Sequence, residues 1–380
     1  MMADFKIRLN PFLLTGLMVL MCGCGKEQLP SHGYVRFLND VVTLRVPETE
    51  SHRLHKAVLK VEQELEGLKP SFDYTDVRSE YLRVNEIATE AWLPVSPNML
   101  RILKLCKEYH KHTDGAFDVT ITPVSQIWGF EGGSVPDSVP DEVVDAARMV
   151  LGVDRIELAF NAVRIDNQVI TINLSAVLEG YLTDLCLIEL RNQEVPNVLL
   201  QIGNSVRSLG EAGPGEPWKT PVRNPFKPTE VLGSVLMKDK IACSISYTMD
   251  HSNEIEGKRV GHIINPLTGY PVEDTIQTVV IGPTATTADA LATAITVAGT
   301  VGAPKILEAY PAYKCAIFPN QEPISIWISE GMDAYLELEL PADRIQVLPG
   351  YIPGLEVEKD AMPVIEFKRT GDEPTQLLDR

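Results

Sequence analysis

The chain has 380 residues, 44% of them hydrophobic, and a mean hydropathy of zero, which is enough apolar material for one large domain or two closely joined ones. Its formal charge is −18, with no basic cluster beyond the first residues. Such a surface repels nucleic-acid phosphates and anionic lipid heads, so both are set aside as broad partners, while a local cation site stays open.

Lys6 and Arg8 precede an apolar run from Pro11 to Met21 that ends in Cys22-Gly23-Cys24. A basic start, a short apolar stretch and small residues before a cleavage point form an export signal. The run is far shorter than the ~20 residues of a spanning helix. Gly23-Cys24 resembles the bacterial lipobox, whose cysteine is acylated and becomes the mature N-terminus, although Met21 stands where leucine is usual. An ordinary cleaved signal with incidental cysteines is the plainer alternative. Residues 1–23 are expected to be the signal peptide and 24–33 a short tether, leaving the mature protein lipid-anchored on the outer face of a bacterial membrane.

Val41 to Val46 alternates as a strand, and Leu54, Val58, Val61 and Leu65 recur at helical spacing. Ser96-Pro97 is a helix start, a capping hydroxyl followed by proline in the first turn. Asp141 opens another short helix. Arg155 to Asn173 reads as two strands around Asp166-Asn167, followed by a helix carrying Leu178, Leu182, Leu185 and Ile188. Asn197–Ile202 and Thr278–Ile281 read as strands, and Ala288–Ala298 as a helix stopped by Gly299. The segment 34–340 is taken as the domain and the proline- and charge-rich 341–380 as an extension with one edge strand. Mixed strands and helices without strict alternation predict an α+β fold. Cys106, Cys186, Cys243 and Cys315 are widely spaced in apolar segments and read as buried free thiols.

No phosphate loop, HExxH, GxSxG or dinucleotide fingerprint is present in the sequence. Four segments carry candidate chemistry. Thr113 to Thr120, closing at Trp128-Gly129-Phe130, is a loop dense in small, acidic and aromatic residues; a plain turn with an aromatic anchor has the same composition. Asn173 to Tyr181 passes from a strand end into a helix, whose N-terminus suits phosphate; Ser175 as a simple cap explains it equally. Gly261 to Pro271 holds His262 in an apolar strand before a Pro/Gly turn, a proton acceptor or a structural histidine. Asp289 and Thr293 lie four apart, on one helix face, and are hard oxygen ligands suited to Mg2+ beside phosphate.

In this order, Ser79-Glu80 with Asn85, the TDGAFD-T-P-WGF block, NLSAVLEGYLTD, HIINPLTGYP and TADALATA resemble the FAD:protein FMN transferases of the ApbE family, over roughly Tyr34 to Tyr335. The resemblance implies an ApbE-like fold and a Mg2+-dependent transfer of FMN from FAD to a threonine of an acceptor protein, with AMP released. It implies that Tyr74, Ala116, Phe117, Asp118, Asn173, Glu179 and Ile264 contact FAD. Ala176 (through its carbonyl), Asp289 and Thr293 match the magnesium site, and His262 matches the base that activates the threonine. The implied acceptor belongs to a membrane electron-transport complex.

The chain departs from the family pattern at Leu38-Asn39-Asp40, at Asn173 and Asn265 in place of aspartates, at Gly203-Asn204 in place of a glycine pair, and at Cys243-Ser244-Ile245, where Ile245 replaces glycine. These changes keep open two alternatives: a non-catalytic FAD-binding lipoprotein, and a hydrolase that splits FAD into FMN and AMP.

Overall fold

Nine strands form the central sheet, and they lie in it in the order in which the chain makes them. They are β1 (Ser31–Phe37), β2 (Asp40–Val46), β3 (Val198–Ile202), β4 (Ser205–Leu209), β5 (Ala242–Tyr247), β6 (Thr275–Gly282), β7 (Lys314–Pro319), β8 (Ile326–Ile328) and β9 (Ile345–Val347). Every neighbouring pair is antiparallel except β8 and β9. This computed structural model describes residues 30–350 apart from 39, 89–90, 167–168, 194 and 239–240. The export signal, Cys24, the first part of the expected tether, Asn39 and residues 351–380 lie outside the described residues.

The helices are α1 (Ser51–Phe72), α2 (Glu80–Ile87), α3 (Pro97–His112), α4 (Thr122–Ile127), α5 (Asp141–Met149), α6 (Ser175–Asn192) and α7 (Ala285–Ala309). Helices α1, α6 and α7 cover one face of the sheet. A smaller sheet of Trp218–Arg223, Val231–Met237 and Leu336–Leu338 covers part of the other, around the buried Trp218, Met237 and Phe318. With a layer on each side, every residue of β6 is buried, the polar Thr275, Gln277 and Thr278 included. The result is an α+β sheet-and-helix architecture.

Two helix starts follow the sequence closely. The Ser96 hydroxyl accepts the Met99 amide at 3.2 Å and caps α3, and Ser79 does the same for α2 through the Leu82 amide at 3.2 Å. The Glu80 carboxylate then takes the Ser96 amide and hydroxyl at 2.9 and 2.7 Å, tying the two helix starts together. Asn85 exchanges hydrogen bonds with the backbone of Ile172 at 2.8 and 3.1 Å, which positions the strand-like approach to α6.

Several expectations change. The tether is shorter than expected, because β1 begins at Ser31 and Gly33 pairs with Leu44. Only Val35 and Phe37 point inward along β1, so its first half reads as polar linker. The domain runs past residue 340: β9 pairs with β8, and Leu348 is buried. The two strands expected around Asp166-Asn167 instead form a hairpin, Ile156–Leu158 with Ala162–Ile165, turning at the exposed Phe160; Asn167 lies outside the described residues. Gly299 interrupts α7 rather than ending it, with a φ of 61° that glycine adopts freely, and a second helical segment continues to Ala309.

Candidate active site

The site is built where α6 and α7 touch. The Gly180 amide donates to Asp289 Oδ2 at 3.0 Å, and a Cβ on residue 180 would stand 2.3 Å from the Ala285 carbonyl oxygen. Only glycine permits this approach. The Asp184 carboxylate, one turn further along α6, accepts the Ala285 and Thr286 amides at 2.9 and 3.0 Å and also pairs with Arg207. It satisfies the free amides at the start of α7 and fixes that helix against α6.

Behind Asp289, Ser205 donates to Ser244 at 3.2 Å and Ser244 donates to Asp289 Oδ1 at 3.0 Å. One turn on, Thr293 shares a hydrogen bond with Ser246 of β5 at 3.3 Å. On α6, Glu179 Oε2 accepts the Asn204 amide at 2.8 Å. The tight β3–β4 turn closes on that carboxylate, since a Cβ on Gly203, whose φ is 52°, would lie 2.1 Å from it.

These groups open into a cavity of about 290 Å³. Ala116, Phe117 and Asp118 line it from the loop after α3; Asn173, Ala176 and Glu179 from α6 and its approach; His262 and Ile264 from the turn after the 252–261 hairpin; and Asp289 and Thr293 from α7. The sequence-predicted residues therefore converge, with one exception. Tyr74 lies outside the cavity lining and is 40% exposed. It sits in a surface turn that Asp73 closes by accepting the Thr75 amide and hydroxyl at 2.8 and 2.6 Å, which presents Tyr74 outward.

His262 follows the strand Lys258–Gly261 rather than lying in it. Its Nδ1 is 3.2 Å from the Thr248 carbonyl oxygen, which can only accept, so Nδ1 carries the proton and Nε2 the lone pair. Burial lowers its pKa, and the neighbouring His251 lowers it further, so the ring is a neutral base at physiological pH. The carboxylates go the other way. Burial, reinforced by the Asp289 charge, pushes Glu179 up to about 8, and burial pushes Asp289 up to about 6 against its hydrogen bonds. Asp118 is likewise raised by burial, although Thr120 donates to it twice, at 2.7 and 2.6 Å.

Glu131, Asn204, Ser246, Tyr247, Asp250 and His251 also line the cavity and were not legible as site residues. Ser246 and Tyr247 come from the end of β5 and the others from turns, and no spacing rule encodes their meeting. The lining includes no lysine or arginine. The buried Asp289 carboxylate, without a basic partner in the lining, suits a hard cation. Among the described residues, no group of three or more His, Cys, Asp or Glu side chains could hold a metal alone. Asp289 and Thr293 therefore fit an ion that takes most of its shell from ligand oxygens and water, as Mg2+ does.

The ApbE family model matches residues 39–317. The chain belongs to the ApbE family. It is 30% identical over 223 residues to a FAD:protein FMN transferase of Vibrio cholerae, covering 58% of this chain and 67% of that one. It is 26% identical over 300 residues to the Escherichia coli enzyme of the same name, covering 77% and 86%. Among solved structures, the ApbE protein of Thermotoga maritima superposes with a TM-score of 0.72 at 23% identity, over 81% of this chain and 99% of its own. The flavin transferase ApbE of Vibrio cholerae superposes at 0.69 and 22% identity, with the same coverage.

Three of the departures from the ApbE pattern, at Asn173, Asn265 and Ile245, are accommodated locally. Asn173 Oδ1 accepts the Ser175 amide at 2.8 Å and Asn265 Oδ1 the Leu267 amide at 2.9 Å. An asparagine oxygen serves these turns as an aspartate would. Asn173, not Ser175, therefore takes the first amide of α6. Ile245 sits in extended strand β5 opposite Val279, where a side chain costs no backbone strain.

Proposed function

We propose that this chain is a Mg2+-dependent FAD:protein FMN transferase, moving FMN from FAD onto a threonine of an acceptor flavoprotein and releasing AMP. The observation that carries the reading is the juxtaposition, in one cavity, of the neutral His262 base with the hard-oxygen pair Asp289 and Thr293. Relatives named for this activity support it.

In this reading Ala116, Phe117, Asp118, Asn173, Glu179 and Ile264 hold FAD, and Asp289, Thr293 and the Ala176 carbonyl hold Mg2+. The bound ion would neutralise charge on the diphosphate. His262 Nε2 takes the proton of the acceptor threonine hydroxyl, whose oxygen attacks the flavin-side phosphorus. The bridging P–O bond breaks, AMP leaves with the bond electrons, and the proton stays on His262 until solvent removes it. Glu179, protonated over most of the neutral range, adds little negative charge beside the diphosphate.

The test is incubation with FAD, Mg2+ and an acceptor protein, followed by in-gel flavin fluorescence. Labelling that is lost in His262→Ala and Asp289→Ala supports the assignment; labelling that survives both rejects it. FAD binding with neither labelling nor AMP release points to a binding lipoprotein, and AMP release without an acceptor to a hydrolase. We further propose that Cys24 tethers the enzyme to the outer face of the membrane, beside an acceptor in an electron-transport complex. Cys24→Ala should then leave the membrane fraction.

A further inference from the structure

We propose that His251 is a positioning residue for the proton transfer: its imidazole fixes the His262 ring and, with Asp250 opposing it, sets the pH at which that ring becomes charged. The inference rests on the reading of His262 as the base.

The two imidazoles pack edge to face, with centroids 5.3 Å apart and planes at 80°. The His262 amide donates to the His251 carbonyl oxygen at 3.1 Å, so backbone as well as ring joins them. Phe130 meets His262 edge-on at 6.4 Å, and the Thr248 carbonyl holds Nδ1. With the ring held from these sides, Nε2 is left for the reacting proton. His251 and His262 both line the cavity, but His251 is exposed while His262 is half-buried. At this separation a positive charge on the His251 ring would disfavour a proton on His262. The His251 ring thus opposes charging of His262.

Asp250 acts in the opposite sense, favouring charged His262. Its carboxylate is held across the cavity by the Asn204 side-chain amide at 3.0 Å. Asp118, Glu131, Glu179 and Asp289 face the same space from the α3–α4 region, α6 and α7. Adjacent residues of one turn therefore pull the base in opposite directions. Asn204 joins this turn to α6, donating its backbone amide to Glu179 and its side-chain amide to Asp250.

The experiment is an NMR titration of the His262 imidazole in the full-length protein without FAD, for wild type, His251→Phe, His251→Gln and Asp250→Asn. Phenylalanine preserves the ring packing, glutamine tests loss of charge should phenylalanine not fold, and asparagine still accepts from Asn204. The His262 midpoint should move up in both His251 variants and down in Asp250→Asn. The acid limb of the labelling rate should follow it. An unmoved midpoint in the His251 variants overturns the proposal even if the wild type labels its acceptor. A moved midpoint in a wild type that labels nothing would instead sink the transferase reading and leave the coupling intact.

Discussion

Gly180 and Asp289 are joined by a 3.0 Å hydrogen bond at the closest approach of α6 and α7, where a methyl group on residue 180 would lie 2.8 Å from Asp289 Cβ. Gly180→Ala must push the helices apart. Overpacking of this kind costs about 1–3 kcal/mol, so the thermal midpoint should fall by several degrees and magnesium binding should weaken with it. Calorimetry of the variant checks both, and an unchanged midpoint would show that the contact is softer than its geometry implies.

The paired carboxylates make a prediction about pH. Glu179 has a folded pKa of about 8 against an ordinary value of 4.5. The folded state therefore binds its proton more tightly than the unfolded chain, and this contribution to stability is present below pH 4.5 and lost as pH rises through 8. In chelator, Glu179→Gln should flatten that part of the stability profile between these limits. The comparison of denaturant midpoints at pH 5 and pH 8 reads it directly.

Magnesium should raise the melting temperature of the wild type in proportion to the logarithm of its concentration above Kd. Asp289→Asn and Thr293→Val should each remove that rise. Asp289→Asn should also melt higher than the wild type in chelator at pH 8, because it deletes a buried charge that lacks a basic partner. A magnesium-dependent rise retained in both variants would move the metal elsewhere.

Tyr74→Ala should leave FAD affinity unchanged in a fluorescence-quenching titration. The side chain is held outward by the Asp73 turn and lies outside the cavity lining. A several-fold loss of affinity would mean that FAD reaches well beyond the cavity described here.

What the sequence made legible was what local chemistry encodes. Ser96-Pro97 announces α3 because a hydroxyl acceptor and a pre-set proline angle act within one turn. Asp289 and Thr293 share a helix face because helical geometry places residues four apart together. Tyr74 stands apart from the other residues that the resemblance implied, because the turn closed by Asp73 presents it outward and away from the cavity lining. Asp184 and Arg207 escaped for a different reason: their ion pair joins α6 to β4, and nothing near either residue signals the other. The rim of Asn204, Asp250 and His251 is likewise a product of the β3–β4 and post-β5 turns meeting in space.

Because the cavity gathers side chains from Ala116 through Thr293, interleaved with strands β3 to β6 of a sheet whose spatial order is the chain order, the catalytic apparatus has no portable fragment. A recombinant excision or a swap with a relative inside that interval would exchange walls of the chamber along with scaffold strands. Alteration of the chamber is therefore confined to point changes in its lining, such as Asn204.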